Sequence, residues 1–423
     1  MKLPELSPDK LLNLRTFMMF NLVVFLAKVA YSFALDFPGG YFEDWHIAKN
    51  LVQHGIYSEF INVGPTAYKL PVYPLFISLF MLAFPAFPFE ALVTAQHIIY
   101  FFIPFLLIRI SGIFRKEKAG VLTAYFFIFS PVYFYYSNVA EVTNIFVPIF
   151  LIWLYQYFKV YTGRKFYHKD FILLGFISAA LFLTQVVAVP MVIFLLLYLY
   201  LRNKIRFSAL AFILFTISVF YSPWVIRNHI VFDKIILTKT PFWHNLYFGF
   251  VPQVNIIKEV QLISEEHERY TSGLRKSVDE FEMEKIFKKE TLRVLKGKET
   301  VFFKKAIQNA FLLWYVPARY YDDGFTALFG RKFMVLGMNI VTVFALFYFF
   351  RFHRRFLYFS ILVFFNFTVP YMIGHAANTR FKLDFEWFQY AFISLFIYEK
   401  WFRLNEEKAI KKVAVQLPEN RES

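Results

Sequence analysis

The chain has 423 residues, of which 58% are hydrophobic, 22% are aromatic and only 18% are charged. This balance excludes an ordinary soluble domain and is typical of an all-α polytopic membrane protein. The sequence contains no cysteine, which excludes disulfides and thiolate metal sites. The formal net charge of +16 comes from short basic clusters between apolar runs, as in cytoplasmic loops of membrane proteins. We therefore expect a lipid bilayer and no nucleic acid as a partner.

The first predicted membrane span covers residues 17–35, and basic residues precede it. The positive-inside rule places the N-terminus in the cytoplasm, and no cleavage site marks the span as a signal peptide. Residues 36–90 then form the first outer loop. Within this loop, residues 41–54 carry apolar side chains at helical spacing and are followed by Gly55. This pattern predicts a short amphipathic helix lying at the membrane surface.

Residues 70–88 are apolar but bracketed by prolines, and they allow two topologies. If this segment crosses the bilayer, the basic cluster near Arg115 lies outside and every later loop is inverted. If it is a second interfacial or re-entrant helix, that cluster and the basic loops after residues 158 and 201 are cytoplasmic. We adopt the second topology because it satisfies the positive-inside rule in every basic loop.

The remaining spans complete a bundle of about ten, with both termini in the cytoplasm. They are predicted at residues 91–110, 119–136, 141–158, 171–186, 188–201, 207–223, 332–350, 356–373 and 385–401. Several are shorter than the ~20 residues of a typical span. The chain between 223 and 321 is expected outside the membrane. Its most polar part, residues 264–298, has helical periodicity and predicts one or two surface helices, and residues 302–317 predict another helix at the outer interface.

Two adjacent acids in the first outer loop, Glu43 and Asp44, are the best catalytic candidates. A carboxylate there can deprotonate an acceptor hydroxyl or bind a divalent cation, although a solvated pair on an amphipathic helix is the alternative. Adjacent helical residues point about 100° apart, so only one of the pair can face a given site. Asp44 lies nearer the apolar side, which we interpret as facing the membrane, and this favours Asp44 as the base. Asp36, just past the first span, is a rival, and His46 is a further candidate.

Basic residues on the predicted outer side are candidates for holding an anion. Lys69 lies beside prolines that restrict the backbone, and a lysine binds phosphate as a point charge. Arg227 follows the outer end of a span against the positive-inside trend. Arg380 forms a third basic site together with His375. The alternatives are an interfacial lysine that extends toward water and an arginine that caps a helix C-terminus.

Glu141 begins a predicted span from its outer end. A carboxylate at that depth is costly and is usually functional, although the helix dipole also favours an acid at this position. Tyr68, next to Lys69, is a further candidate. His46 and His54 are eight residues apart, so no zinc-binding triad is visible, and the sequence leaves a metal requirement open.

Six segments in chain order resemble the GT-C glycosyltransferases of bacteria. They are EDWHIAKNLVQHGIYS, GPTAYKLPVYPLFISLF, the segment around Glu141, FISAALFLTQVVAVP, SPWVIRN and ANTRFKLDFEW. The branch that the chain is most similar to contains the protein O-mannosyltransferases and the aminoarabinose transferases that modify lipid A. The resemblance covers residues 17–320 in order and, more weakly, the last spans.

The resemblance implies a seven-span core whose first outer loop carries two juxtamembrane helices. It also implies transfer of a sugar, with inversion, from a polyprenyl-phosphate carrier to a hydroxyl or amine of a lipid, glycan or protein acceptor. The reaction would take place on the extracytoplasmic face of the bacterial inner membrane. In the family, an acid of the first loop is the base, a role that falls on Asp44 or Glu43. A basic residue ahead of the Pro-x-Tyr-Pro element holds the phosphate, a role that falls on Lys69, and we expect Arg227 and Arg380 to assist.

The domain organisation expected from this resemblance has four parts. They are a GT-C-like transmembrane catalytic module at 1–224, an extracytoplasmic helical region at 225–330, C-terminal transmembrane helices at 331–402 and a cytoplasmic tail at 403–423.

The chain departs from the family pattern at three points. Gly40 stands where the family acid often lies, which leaves Asp36, Glu43 and Asp44 as rivals. Gln185 stands where many relatives have an arginine, and residues 380–384 read Arg-Phe-Lys-Leu-Asp instead of Arg-Tyr-Arg-Leu-Pro. Two other classes of function therefore stay open. One is a transporter or flippase of lipid-linked sugars, which would show pseudo-symmetric halves and charged or broken helices at the membrane midplane. The sequence indicates neither, because its charges cluster at the outer ends of the spans. The other is a non-catalytic envelope assembly protein.

Overall fold

A computed structural model describes residues 11–163, 168–252, 255–315, 325–375 and 379–402. These residues form an all-helical bundle, and no β-strand occurs among them. The α-helices are Leu14–Ala34, Glu43–His54, Val72–Ala83, Pro88–Ile113, Glu117–Ile128, Pro131–Tyr136, Thr143–Tyr161, His168–Phe182, Val189–Leu201, Phe207–Phe232, Phe242–Phe248, Glu265–Leu274, Glu280–Leu295, Glu299–Tyr315, Phe325–Phe352, Arg354–Ile373 and Thr379–Ile397. Short 3-10 turns occur at Val186–Ala188 and Lys258–Val260, and a π-helical turn occurs at Tyr398–Phe402.

Within the described residues, five helices are long and apolar enough to cross a membrane. They are Leu14–Ala34, Pro88–Ile113, Phe207–Phe232, Arg331–Phe352 and Arg354–Ile373. Their exposed side chains are largely apolar, as expected for surfaces that face lipid. The predicted class, an all-α membrane protein, agrees with this architecture. The count of about ten spans stays a prediction, because the other apolar helices are shorter or more polar.

The prediction of one continuous helix over residues 119–136 is wrong. The structure has two helices there, Glu117–Ile128 and Pro131–Tyr136. Pro131 forces the residue before it out of helical geometry, and Ser130 is extended, with ψ of 116°. The Ser130 hydroxyl accepts a hydrogen bond from the N–H of Tyr133 at 3.5 Å and so caps the second helix.

The helix that contains the predicted span 207–223 continues beyond it. The helix Phe207–Phe232 runs through Pro223 and ends only at Asp233, which adopts the left-handed conformation with φ of 50°. The predicted domain boundary at 224/225 therefore falls inside a helix. Arg227 lies in the last turns of this helix and not beyond its end.

The two helices predicted in the first outer loop are confirmed as helices. Gly55 ends the helix Glu43–His54 in the left-handed conformation, with φ of 69°, which glycine adopts without strain. The helix Val72–Ala83 has 12 residues and rises about 18 Å, less than the ~30 Å of a bilayer core. Trp45 and Ala48 pack against Tyr73 of this second helix. The interpretation that Trp45 and Ala48 face the membrane is therefore wrong, because both side chains are buried inside the protein.

The polar segment 264–298 forms two helices, as predicted. Ser264 caps the helix Glu265–Leu274 by accepting a hydrogen bond from His267 N–H, and Asp279 caps Glu280–Leu295 in the same way. This outer region has its own apolar core, which includes Tyr247, Phe250 and Phe287. The predicted helix at 302–317 is observed as Glu299–Tyr315.

One large core joins the beginning of the chain to its last described helix. Phe127, Tyr133 and Phe150 belong to the same buried cluster as Leu383 and Phe392 of the helix Thr379–Ile397. The hydroxyl of Tyr133 donates a hydrogen bond to the carbonyl of Leu383 at 2.7 Å. The last helix is therefore anchored beside the segments that carry the early candidate residues. The predicted tail at 403–423 lies outside the described residues.

Candidate functional site

The first outer loop is fastened to the segment that carries Glu141. Asp36 and Phe37 both adopt the left-handed conformation, with φ of 51° and 52°, and they reverse the chain after the first helix. At Gly39 any side chain is excluded, since a Cβ would lie 1.7 Å from the backbone oxygen of Asn138. The N–H of Ala140 then donates a hydrogen bond to the carbonyl of Gly40 at 2.9 Å. This close approach sets the start of the helix Glu43–His54 beside residue 141.

The centre of the candidate site is a lysine held between two carboxylates. Lys69 Nζ lies 3.4 Å from Oε2 of Glu43 and 3.5 Å from Oδ2 of Asp44. Asp44 is only 3% exposed, whereas the side chain of Glu43 is 31% exposed. The structure thus brings three sequence-predicted residues together, and it buries the acid that was preferred as the base.

Electrostatics keep Glu43 and Lys69 ionised. The Lys69 ammonium holds the pKa of Glu43 down to about 2, against the opposing effect of burial. Burial by itself would lower the pKa of Lys69, but the carboxylates of Asp44 and Glu43 raise it above its ordinary range. The lysine is therefore a permanent cation in this site.

Two side chains, Tyr57 and Glu280, hold the loop that carries Lys69. The hydroxyl of Tyr57 donates a hydrogen bond to the carbonyl of Lys69 at 3.0 Å. Glu280, from the outer helical region, accepts hydrogen bonds from the Thr66 hydroxyl at 2.6 Å and the Ala67 N–H at 2.9 Å. The candidate residue Tyr68 places its ring 5.3 Å from the Lys69 ammonium. These contacts position Lys69 through its own loop and leave its ammonium to the two acids.

A second ion pair lies beside the first. Arg380 Nη1 lies 3.0 Å from Oε1 and 2.8 Å from Oε2 of Glu141, which is 5% exposed. Next to this pair, Asp384 accepts a hydrogen bond from the Thr143 hydroxyl at 2.8 Å. The last described helix therefore contributes both a cation and a carboxylate to the site.

The two ion pairs are within electrostatic range of each other. The charge of Arg380 acts on Lys69, and the charges of Asp44 and Lys69 act on Glu141. The five candidates Glu43, Asp44, Lys69, Glu141 and Arg380 thus form one cluster, which we call the acid–cation cluster. Three carboxylates and two cations leave it with one formal negative charge.

Arg227 does not join the acid–cation cluster. Its Nη1 donates hydrogen bonds to the carbonyl of Thr66 at 2.8 Å and to the Asn228 side chain at 2.9 Å. Its guanidinium also lies 5.2 Å from the centre of the Tyr57 ring and 5.4 Å from that of Trp224. Arg227 therefore holds the loop that leads to Lys69, instead of capping its own helix.

The remaining candidates lie outside the cluster or at its edge. Asp36 and His46 are exposed, and no ion pair joins either of them to the described part of the chain. His375 lies between the rings of Phe248 and Phe381, at 5.1 Å and 5.2 Å. Burial, and then the charge of Arg380, lowers the pKa of His375 to about 3. At neutral pH this imidazole is uncharged and adds no cation to the site.

A cleft beside Lys69 contains residues that the sequence did not single out. Arg275 Nη2 lies 2.7 Å from Oε2 of Glu59, and its guanidinium covers the Tyr68 ring at 4.4 Å. With Glu280 these side chains line a small cleft, partly open to solvent, between the first outer loop and the outer helices. Burial raises the pKa of Glu59 to about 7, and Arg275 offsets this only in part. The helical periodicity of residues 264–298 predicted the helices that carry Arg275 and Glu280. It does not predict which of their charged side chains point into the protein.

Lys239 is another cation that sequence analysis missed. Its side chain is exposed, yet the charges of Lys69 and Arg380 act on it. It therefore lies within electrostatic range of the acid–cation cluster. Its segment, after the helix Phe207–Phe232, has no pattern that distinguishes it from other outer lysines.

The described residues contain no group of three or more His, Asp or Glu side chains arranged to hold a metal ion. Glu43 and Asp44 instead share Lys69. A divalent cation in this site stays an expectation from the sequence.

No model of a known protein family matches the sequence, and no curated protein matches it either. The acid–cation cluster is therefore the main guide to function. The resemblance of the six sequence segments to GT-C glycosyltransferases stays an expectation.

Proposed function

We propose that the protein is an integral-membrane glycosyltransferase of the GT-C type. It transfers a sugar from a polyprenyl-phosphate carrier to a hydroxyl or amine of a lipid, glycan or protein acceptor, with inversion. The proposed location is the bacterial inner membrane, with the site on the extracytoplasmic face. The observation that carries the proposal is the buried Asp44 held 3.5 Å from the ammonium of Lys69. This arrangement offers a base and a phosphate-binding cation side by side.

In the proposed reaction, Asp44 accepts the proton of the acceptor hydroxyl or amine as that group attacks the anomeric carbon. The bond between the anomeric carbon and the phosphate oxygen breaks, and the polyprenyl phosphate leaves with its negative charge. Lys69 stabilises this charge, which is an electrostatic contribution made largely in the transition state. General-base catalysis by a positioned carboxylate contributes typically 10²–10⁴-fold.

The ion pairs also link binding of the donor to activation of the base. In the free protein, Lys69 is shared by Glu43 and Asp44. A donor phosphate that engages Lys69 weakens its hold on Asp44, so the carboxylate becomes a better base when the donor is present. Arg380 stays paired with Glu141, which positions it beside the phosphate, and Arg227 acts through the loop that carries Lys69.

A specific observation keeps a transporter or flippase as the second candidate. Lys28 lies within the candidate span Leu14–Ala34, is 5% exposed and places its ammonium 4.5 Å from the centre of the Tyr100 ring. Ionisable groups at membrane depth frequently mark transport pathways. Under this function the carrier lipid would cross the membrane without transfer of its sugar.

The test is an assay of the purified protein with a lipid-linked sugar donor. We expect Asp44→Asn to keep the shape of the site, retain donor binding and lose at least about 100-fold in turnover. We expect the more exposed Glu43→Gln to weaken turnover only in part. A matched control is Asp233→Asn, at an exposed carboxylate that ends the helix Phe207–Phe232.

The possible outcomes separate the candidates. An active Asp44→Asn protein beside an inactive Glu43→Gln protein would exchange the two roles, and full activity in both would move the base to Asp36. Movement of labelled carrier lipid across vesicles by a protein without transfer activity would favour the flippase. Absence of both activities would leave a non-catalytic assembly protein.

A further inference from the structure

The last described helix carries a buried polar stripe that the proposed reaction does not use. Lys382, Glu386 and Gln389 are spaced by four and three residues, which places them on one face of the helix Thr379–Ile397. All three side chains are fully buried. This face meets the helix Phe325–Phe352, where Arg331 Nη2 lies 3.2 Å from Oε1 of Glu386. Gln389 Nε2 donates hydrogen bonds to the Asn339 side chain at 3.0 Å and to the Thr342 hydroxyl at 2.9 Å.

Several polar atoms of this stripe have no hydrogen-bond partner among the residues that the structure describes. The donors are Nζ of Lys382 and Nε and Nη1 of Arg331, and the acceptors are Oε2 of Glu386 and Oε1 of Gln389. The nearest neighbour of the Lys382 ammonium is the Trp314 ring, with its centre 3.6 Å away. Buried polar groups are almost always hydrogen-bonded, so unpartnered atoms concentrated in one place indicate a missing water, ion or ligand.

The charges of the stripe favour an anion. Among the described residues, two cations, Lys382 and Arg331, face one carboxylate, Glu386. A surplus positive charge in a poorly hydrated site is costly without a counter-ion. Three unpartnered N–H groups are also the donors that a phosphate accepts from. Water would satisfy the hydrogen bonds but would leave the surplus charge in place.

The position of the stripe indicates where an anion would come from. Arg331 directly precedes the span predicted at residues 332–350, and this prediction puts it near the level of the lipid headgroups. Its side chain is 10% exposed, whereas Lys382, Glu386 and Gln389 are fully buried. The acceptor oxygens of Glu386 and Gln389 call for hydroxyl donors next to the anion.

We propose that Lys382, Arg331, Glu386 and Gln389 form a binding site for the phosphate ester of a membrane lipid whose headgroup also carries hydroxyls. The phosphate accepts hydrogen bonds from Lys382 and Arg331, and the hydroxyls donate to Glu386 and Gln389. The site is separate from the acid–cation cluster, and it does not depend on the protein being a transferase.

The test measures lipid retention by native mass spectrometry of the full chain in detergent. Phosphatidylglycerol, phosphatidic acid, phosphatidylcholine and inorganic phosphate are added in separate arms. We expect phosphatidylglycerol to be retained best, and Lys382→Met to reduce its retention by roughly tenfold to a hundredfold, as for loss of a charged hydrogen bond. The matched control is Lys332→Met, which removes a neighbouring ammonium that lies 5.7 Å from the Tyr315 ring. This control should retain phosphatidylglycerol as the unmodified protein does.

If Lys382→Met does not fold, a second variant tests the same proposal. Glu386→Gln preserves the shape of the side chain but removes its charge, so it should increase retention of both anionic lipids. Equal retention of phosphatidylglycerol and phosphatidylcholine by the unmodified protein would overturn the proposal. Retention that neither variant changes would also overturn it, and competition by inorganic phosphate without any lipid preference would overturn the assignment to a lipid.

Discussion

The guanidinium of Arg380 binds the carboxylate of Glu141 through a single nitrogen, at 2.8 Å and 3.0 Å from its two oxygens. The two residues are 239 positions apart in sequence. Their ion pair joins the last described helix to the segment that also receives the first outer loop through Gly39 and Gly40. The candidate site therefore depends on both ends of the chain.

This pairing leads to the first prediction, on stability. Arg380→Gln should destabilise the protein by about 3–5 kcal/mol, because it leaves the buried carboxylate of Glu141 without its cation. The double variant Arg380→Gln with Glu141→Gln should be clearly more stable than Arg380→Gln alone. Thermal unfolding of the single and double variants in detergent measures the coupling. Additive effects would show that the two side chains do not interact energetically.

The second prediction concerns use of the donor. Lys69→Ala should weaken binding of a polyprenyl-phosphate donor by about one to two decades, as expected for a charged hydrogen bond worth ~1.5–3 kcal/mol. Arg227→Ala should also weaken it, but indirectly, because Arg227 binds the Thr66 carbonyl of the same loop. Donor titrations of both variants, with protease accessibility of the loop, distinguish the two effects. Only Arg227→Ala should make the loop more accessible, and unchanged donor use in both variants would place the carrier elsewhere.

Local patterns in the sequence predicted the parts of the fold that depend on near neighbours. The end of the helix Glu43–His54 at Gly55 and the helices within residues 264–298 were predicted, because such signals act within a few residues. The structure adds that Ser264 and Asp279 cap the two helices. Predictions were wrong where tertiary contacts determine the environment of a side chain. Trp45 and Ala48, for example, face another helix and not the membrane. Pro223 shows a related limit, since the helix Phe207–Phe232 continues through it.

The same contrast holds for the candidate site. The types of residue that bind phosphate or act as bases pointed to Glu43, Asp44 and Lys69, which the structure brings together. The pairing of Glu141 with Arg380 and the inward turn of Arg275 need distant parts of the chain, and no periodicity encodes them. Asp44 was preferred as the base on the ground that its side faces the membrane. Asp44 is indeed buried, but other parts of the protein cover it and not the membrane.

The third prediction concerns topology. If the helix Val72–Ala83 does not cross the bilayer, Lys116 and Lys204 face the cytoplasm, because both follow the inner ends of helices in that arrangement. Cysteines introduced at these positions into this cysteine-free chain should be shielded from an impermeant reagent added to intact cells. A cysteine at the exposed Lys276, in the outer helical region, should react and serves as the control. If the cysteines at positions 116 and 204 react and the cysteine at position 276 does not, the topology is the inverse of the one predicted.

The fourth prediction concerns pH and the cleft beside Lys69. Burial raises the pKa of Glu59 from its usual 4.5 to about 7, although Arg275 lies 2.7 Å away. Between these values the folded protein keeps a proton that the unfolded chain has lost. The contribution of Glu59 to the free energy of unfolding is therefore lost as pH rises from about 4.5 to about 7, and it changes little above that range. The loss is at most about 3 kcal/mol, as follows from a pKa difference of this size.

Two substitutions at this pair test the sign. Glu59→Gln removes the titrating group, so the stability of the protein should fall less steeply with pH between about 4.5 and 7. Arg275→Gln removes the cation that stabilises the ionised carboxylate, so it should make the same decrease steeper and extend it to higher pH. Thermal unfolding across this pH range measures both changes. A Glu59→Gln protein with the pH profile of the unmodified protein would show that another group titrates, and a shallower decrease in Arg275→Gln would show that the guanidinium does not stabilise the carboxylate. If both predictions hold, the contact between the first outer loop and the outer helices becomes weaker on the alkaline side of this range, where the cleft beside Lys69 is freer to open.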